Sequence, residues 1–153
     1  MKLLLGEEVN MAKIQSFMYA ANVIQELPRD ASTQIQPQTH IIAPLQIIVP
    51  LFIPSTYSFF IVFSLRDFDT TTAHNIKIQF CDPDEKILVE TEAAVPVIPE
   101  NPIAEVSDEY KGFSSSIGLQ NTIFRQTGAY KTNVIFDSEK IGSYEIYVAR
   151  RKP

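Results

Sequence analysis

The chain has 153 residues, of which 45% are apolar and 20% charged, with a net charge of −5, ten prolines, five glycines and one cysteine. An apolar fraction this high at this length supports one domain whose core hides roughly 68–70% of the surface the unfolded chain exposes, which excludes a disordered chain. The acidic balance argues against a nucleic-acid partner, and a lone Cys81 excludes an internal disulfide or multi-thiolate metal site and favours a reducing, cytoplasmic compartment.

The opening Met1-Lys2-Leu3-Leu4-Leu5-Gly6-Glu7-Glu8 turns acidic after three leucines, short of the roughly 7–15 apolar residues of a secretory signal. Met11-Ala12-Lys13 reads equally well as a start. Residues 1–11 are therefore expected to be a flexible tail or a mis-assigned start, ahead of a single domain over 12–149. Phe17 to Ile24 is open between strand and short helix; its aromatics and Val23-Ile24 favour a strand, against Ala20-Ala21. Leu45 to Ile53 is rich in β-branched residues, but Pro44, Pro50 and Pro54 confine it to a sheet edge or a bulged course, because proline cannot donate to a ladder. Those prolines, with Gln46, Ser55, Thr56 and Ser58, also interrupt the longest apolar stretch, Ile41 to Phe63. It falls short of the roughly 20 apolar residues a spanning helix needs, so no membrane crossing is expected.

Strand signals then become regular. Tyr57, Phe59, Ile61, Phe63 and Leu65 make one unbroken apolar face, while Phe60 and Val62 leave the other face mixed, as suits a strand covered on both sides near the middle of a sheet. Ile76, Ile78 and Phe80 alternate with Asn75, Lys77 and Gln79. Asp82-Pro83-Asp84-Glu85 reverses the chain, and Ile87, Val89 and Thr91 return against Lys86, Leu88 and Glu90. Val95-Pro96-Val97-Ile98-Pro99-Glu100-Asn101-Pro102 spaces its prolines for extended geometry, and a stiff crossover between sheets is preferred to a proline-ligand reading. Phe113, Ser115, Ile117 and Leu119 form a strand that Gly118 weakens. Tyr130, Thr132, Val134 and Phe136 share a face after Gly128; Asp137-Ser138-Glu139-Lys140 turns; and Tyr144, Ile146 and Val148 oppose Glu145 and Tyr147. Arg150-Arg151-Lys152-Pro153 is expected to fray as a basic tail. The sum is an all-β antiparallel sandwich, immunoglobulin-like or jelly-roll-like, of about seven to nine short strands with little or no helix.

The inventory for chemistry is sparse. No Gly-x-Ser-x-Gly surrounds any serine, and His40 and His74 lie 34 positions apart, so no catalytic residue is assigned. Cys81, at a strand end, reads as a small buried hydrophobe before it reads as a nucleophile. Zinc would need His40, His74, Cys81 and a carboxylate without any close-spaced pair, so no metal or cofactor is assigned. Asp67, Asp69, Asp82 and Asp84 could offer oxygens to calcium from loops, but aspartate in turns more commonly caps backbone N–H groups. Phe68, Tyr110 and Tyr147 are the expected exposed aromatics, and each could anchor a protein partner, although packing is the favoured reading of each.

An opening Ser16-Phe17-Met18-Tyr19-Ala20, the proline-rich Pro44 to Pro54, His74-Asn75-Ile76-Lys77-Ile78, Asp82-Pro83-Asp84, Gly128-Ala129-Tyr130 and Tyr144-Glu145-Ile146-Tyr147-Val148 follow one another in order. Over roughly residues 12–149 this order resembles small bacterial and phage β-sandwich proteins known only as a domain of unknown function. The resemblance implies the sandwich and no catalytic residues; Glu85 stands where that pattern has glycine.

Two functions remain open at this stage. One is a cytoplasmic, non-enzymatic sandwich that works through contacts with an unidentified protein partner or as a homodimer, since a proline-marked edge must be blunted or paired. The other is a small-molecule or glycan site, binding or hydrolytic, built on the four aspartates at one rim. A hairpin between Asp69 and Asp82 would place the two aspartate pairs at opposite ends, which counts against the second.

Overall fold

Alternation with a period of two closes into two sheets. The computed structural model describes residues 12–26 and 38–153. Among these residues the strands are, in chain order, β1 (Lys13–Glu26), β2 (Gln38–Leu45), β3 (Ile47–Ile48), β4 (Ser55–Arg66), β5 (His74–Cys81), β6 (Ile87–Val95), β7 (Gly112–Phe124), β8 (Gly128–Phe136) and β9 (Glu139–Val148), with a 3-10 turn, Asp108–Tyr110, before β7. One sheet has the order β2-β1-β4-β7, the other β3-β9-β8-β5-β6. Every pair is antiparallel except the two-residue β3, which runs parallel to β9. The expected tail at residues 1–11 lies outside the described residues.

The core sits between the sheets. Phe59, Ile61, Phe63 and Leu65 of β4 are buried against Ile76, Ile78 and Phe80 of β5 and Tyr130, Val134 and Phe136 of β8. Phe59 meets Phe80 edge-on at 5.2 Å, and Phe124 meets Tyr130 the same way at 5.1 Å. Each such side chain, fully buried, stabilises the fold by about 1.5–3 kcal/mol. One hydrogen-bonded pair crosses between the layers: the Tyr19 hydroxyl on β1 lies 2.6 Å from Thr132 Oγ1 on β8 and donates to the Tyr144 carbonyl at 3.0 Å. Burial raises the Tyr19 phenol well above its ordinary range, although Thr132 pulls it back in part.

Prolines 44, 50 and 54 mark edges as expected. β2 is the outer strand of one sheet and β3 the outer strand of the other, and the chain changes sheets between them at Gln46. The ambiguous Phe17–Ile24 lies wholly in β1. Beyond Ala20, β1 pairs with β2 alone. That hairpin crosses the outer face of its own sheet, where Gln25 Nε2 reaches Ser116 Oγ at 3.5 Å and Val62 is half-buried beneath. The Pro96–Pro102 segment carries the chain from β6 back to the other sheet, pinned where the Ile98 N–H donates to the Thr70 carbonyl at 3.0 Å.

Three local expectations need correction. Alternation in β7 does not stop at Leu119. Tyr57 pairs with Thr122 but Phe59 with Leu119, so β7 holds a bulge at Asn121 (φ 54°), whose N–H donates to Ser58 Oγ at 2.9 Å. The bulge resets parity and turns Thr122 and Phe124 inward. In β6, Ile87 faces solvent while Leu88 and Val89 both lean on the core, because β6 is an edge strand and its register shifts opposite Cys81. Phe68, expected on the surface, is 6% exposed. Asp67 takes a left-handed conformation (φ 66°) just after β4, which sends its own side chain out and the next one in.

The β5–β6 and β8–β9 turns carry side-chain or backbone solutions of their own. At Asp82–Lys86 the Glu85 backbone is left-handed (φ 65°), the position glycine would ordinarily take. Asp82 Oδ1 compensates by accepting from the Asp84 and Lys86 N–H groups, both at 2.9 Å. Asp137 and Ser138 both have positive φ, which makes the β8–β9 link a two-residue turn, tighter than four loop residues would suggest.

Candidate functional site

At one end of the sandwich, β4 finishes, β5 begins and β8 turns into β9, because antiparallel neighbours alternate direction. The loop from Asp67 to Thr71, the Asp137 turn and the Asp108–Lys111 segment meet there around a cleft of about 450 Å³. Phe68 and Phe136, with ring centres 5.0 Å apart, form its floor; Asp67, Asp69, Asp108, Asp137 and Glu139 contribute a rim of carboxylates.

His74 organises this end. Its ring, nearly buried, places Nδ1 2.5 Å from Asp137 Oδ2 and Nε2 2.5 Å from the Asp69 carbonyl, with Thr72 Oγ1 3.3 Å from Nε2. It also packs on Phe136, ring centres 4.9 Å apart and tilted by 31°. Burial lowers the proton affinity of the ring, but the Asp69 carbonyl and the Asp137 carboxylate outweigh it, so His74 sits above the ordinary histidine range. Asp137 answers in the opposite direction. Burial raises its carboxyl, and the Asn75 N–H at 2.8 Å and His74 together more than reverse that.

Three of the remaining carboxylates, Asp67, Asp69 and Asp108, are committed to structure. Asp69 Oδ1 accepts from the Thr71 hydroxyl at 2.5 Å and the Thr71 N–H at 2.9 Å, which hold its carboxyl below the ordinary range. Asp67 pairs with Lys13 at 3.0 Å and donates its N–H to the Lys111 carbonyl at 3.0 Å. Lys111 Nζ lies 3.1 Å from Asp108 and 3.4 Å from Glu100, and these two hydrogen bonds raise its proton affinity. Tyr110 is 59% exposed, yet it is held by the Arg66 guanidinium 5.0 Å over its ring, while Arg66 donates to the Glu109 carbonyl at 3.0 Å.

The other residues singled out by sequence lie apart. Asp82 and Asp84 are at the opposite end, where Gln126 Nε2 donates to Asp84 at 3.1 Å. His40 on β2 pairs with Glu26 at 3.5 Å. Cys81 is a buried free thiol at the far end of β5, pushed up by that burial. Among the described residues no three His, Cys, Asp or Glu converge as a metal site. No helix among them is long and apolar enough to cross a membrane.

A second surface was not singled out from the sequence. Ile42, Ile47, Val49, Leu51 and Phe52 are all exposed, Leu51 and Phe52 by 71% and 66%. They follow one another along the segment where β2 hands over to β3. Tyr147, 51% exposed as expected, pairs with Ile47 and extends the same surface. The signal was present in the sequence as the proline-broken apolar stretch. The His74–Asp137 contact, 63 positions long, had no signal short of knowing that β5 and β8 are neighbours.

Fold and rim define a two-layer β-sandwich, with nine strands among the described residues, a carboxylate-rimmed cleft at one end and an exposed apolar run at one edge. The chain belongs to the family of unknown function DUF6941, whose model matches residues 30–149. No curated protein matches it in sequence. Among solved structures it is similar to an immunoglobulin-like protein, PA1606, from Pseudomonas aeruginosa (11% identity, 91% of this chain and 97% of that one, TM-score 0.38). It is also similar to part of the alkylpurine DNA glycosylase AlkC from Pseudomonas fluorescens, solved on DNA containing an abasic-site analogue (12% identity, 90% of this chain and 30% of that one, TM-score 0.38). At such scores neither likeness says anything about function.

Proposed function

We propose that the protein is a non-enzymatic, cytoplasmic β-sandwich that works through protein contacts, and that the partner on its β2–β3 edge is a second copy of the chain. The observation that carries this reading is the run of exposed apolar side chains from Ile42 to Phe52 beside a strand edge that no other described strand covers. Exposed apolar patches of this kind mark interaction surfaces more often than chance exposure does.

Charge selects the second copy and this edge. Two β2 strands related by a twofold axis would pair antiparallel, and β2 (Gln38–Leu45) holds no acidic or basic residue besides His40. The same pairing through β6, centred on Thr91, would set Glu90 of each copy against Glu92 of the other. β7 is broken by its bulge, and β3 has only two residues. Pro44 limits the paired length at the end of β2, and the apolar side chains up to Phe52, with Tyr147, would supply the burial that a stable interface of about 1,200–2,000 Å² needs.

Sedimentation equilibrium tests this. The wild-type chain is expected to be a dimer at micromolar concentration, and Ile42→Lys or Phe52→Lys a folded monomer. A wild-type monomer throughout the micromolar range would end the proposal.

A further inference from the structure

We propose that His74 is a pH-sensitive latch, tying the β4–β5 loop to the β8–β9 turn when its ring is charged and releasing the loop as pH rises. The inference does not depend on the dimer. It rests on what each ring nitrogen touches. Asp137 Oδ2 and the Asp69 carbonyl are both acceptors, each 2.5 Å from a different ring nitrogen. Only the imidazolium carries a hydrogen on both nitrogens, so only the charged ring satisfies both contacts.

The neutral ring has a second arrangement ready. With Nδ1–H kept on Asp137, the bare Nε2 faces the Asp69 carbonyl, lone pair against lone pair. Thr72 Oγ1, 3.3 Å away, can donate to that nitrogen instead. The exchange drops the Asp69 carbonyl and replaces it with a hydroxyl two residues before the ring, so the Asp69–Thr72 part of the loop must shift while the turn stays attached. The same loop walls the cleft.

The groups facing the ring set the direction. From the β4–β5 loop come Asp69 and Asp67, the latter paired with Lys13 of β1; from the turn, Asp137; from β9, Glu139; from the segment before β7, Asp108 paired with Lys111. The balance is acidic and favours the cation. Because the folded ring holds its proton more tightly than a free histidine, the latch contributes in full below about pH 6.5 and is lost as pH rises through the folded value.

The test is an NMR titration of the His74 ring in the full chain, paired with hydrogen exchange of the loop amides Thr70–Thr72, corrected for intrinsic pH dependence. His74 is expected to titrate above the ordinary histidine value of about 6.5. Loop exchange is expected to quicken roughly tenfold or more, after correction, as His74 deprotonates. Thr72→Val, which removes the replacement donor, should move the His74 midpoint further up. His74→Gln should leave corrected exchange flat with pH. A His74 midpoint at or below about 6.5, or corrected loop exchange in the wild type that ignores pH, would overturn the latch, and both readings use wild-type protein in case a variant fails to fold.

Discussion

Two glycines of β7 show how differently a backbone neighbour and a side-chain neighbour limit a position. A Cβ on Gly112 would lie 1.8 Å from the Leu65 carbonyl oxygen and 2.7 Å from the Arg66 Cα, both backbone atoms of the paired strand β4. No side-chain motion relieves such a contact, so the strands would have to part at the point where Asp67 is anchored to Lys111. Gly118 differs. Its Cβ would meet only the Phe60 ring at 3.1 Å and the Gln120 amide at 3.3 Å, both of which can swing aside on a half-open face. In denaturant melts, Gly112→Ala is therefore expected to cost about 3 kcal/mol or more, and Gly118→Ala under about 1 kcal/mol. Equal costs would show that the two positions are not distinguished by backbone approach.

Elements join across the core mainly through apolar contact, and the Tyr19–Thr132 pair is where polarity joins them instead. Thr132 is fully buried, so Tyr19→Phe leaves its hydroxyl without the phenol and is expected to destabilise by about 1–3 kcal/mol. Adding Thr132→Val removes the stranded group, and the double variant should recover most of the loss; additive costs in a double-mutant cycle would contradict the coupling. The same elements show what was legible beforehand. β4, β5, β8 and β9 read correctly because each buries one face over the stretch that alternates, and the register shifts in their ladders leave that alternation in their side chains intact. β7 read correctly only to Leu119, since a bulge changes parity without leaving a sequence mark stronger than Asn121. Phe68 was misjudged for a related reason: one left-handed residue, Asp67, reverses which side the next side chain faces. Asp67 and Asp69 of the rim could be named in advance, but Asp108 was not, and His74 and Asp137 could not be brought together, because alternation identifies strands and says nothing of which strands become neighbours.

At the scale of the whole molecule, the two ends and two sides of the sandwich have different characters. β5 alone, eight residues at about 3.3 Å each, separates Asp69 from Asp82, so no single ligand of ordinary size engages both aspartate pairs. The apolar exposure gathers instead where the chain changes sheets from β2 to β3. If that side joins two copies, folding and association are linked, because only the native chain presents the paired edge, and dilution must then lower the stability of the fold. The melting temperature is expected to rise with protein concentration from about 1 to 100 μM, by roughly the few degrees that about 1–3 kcal/mol confers on a domain of this size. Phe52→Lys should abolish that slope while leaving the melting temperature at low concentration nearly unchanged, since Phe52 is mostly exposed within one chain. A slope retained in Phe52→Lys would move the contact to another face. A wild-type melting temperature indifferent to concentration, combined with a monomeric mass, would leave the apolar edge without a second copy to cover it.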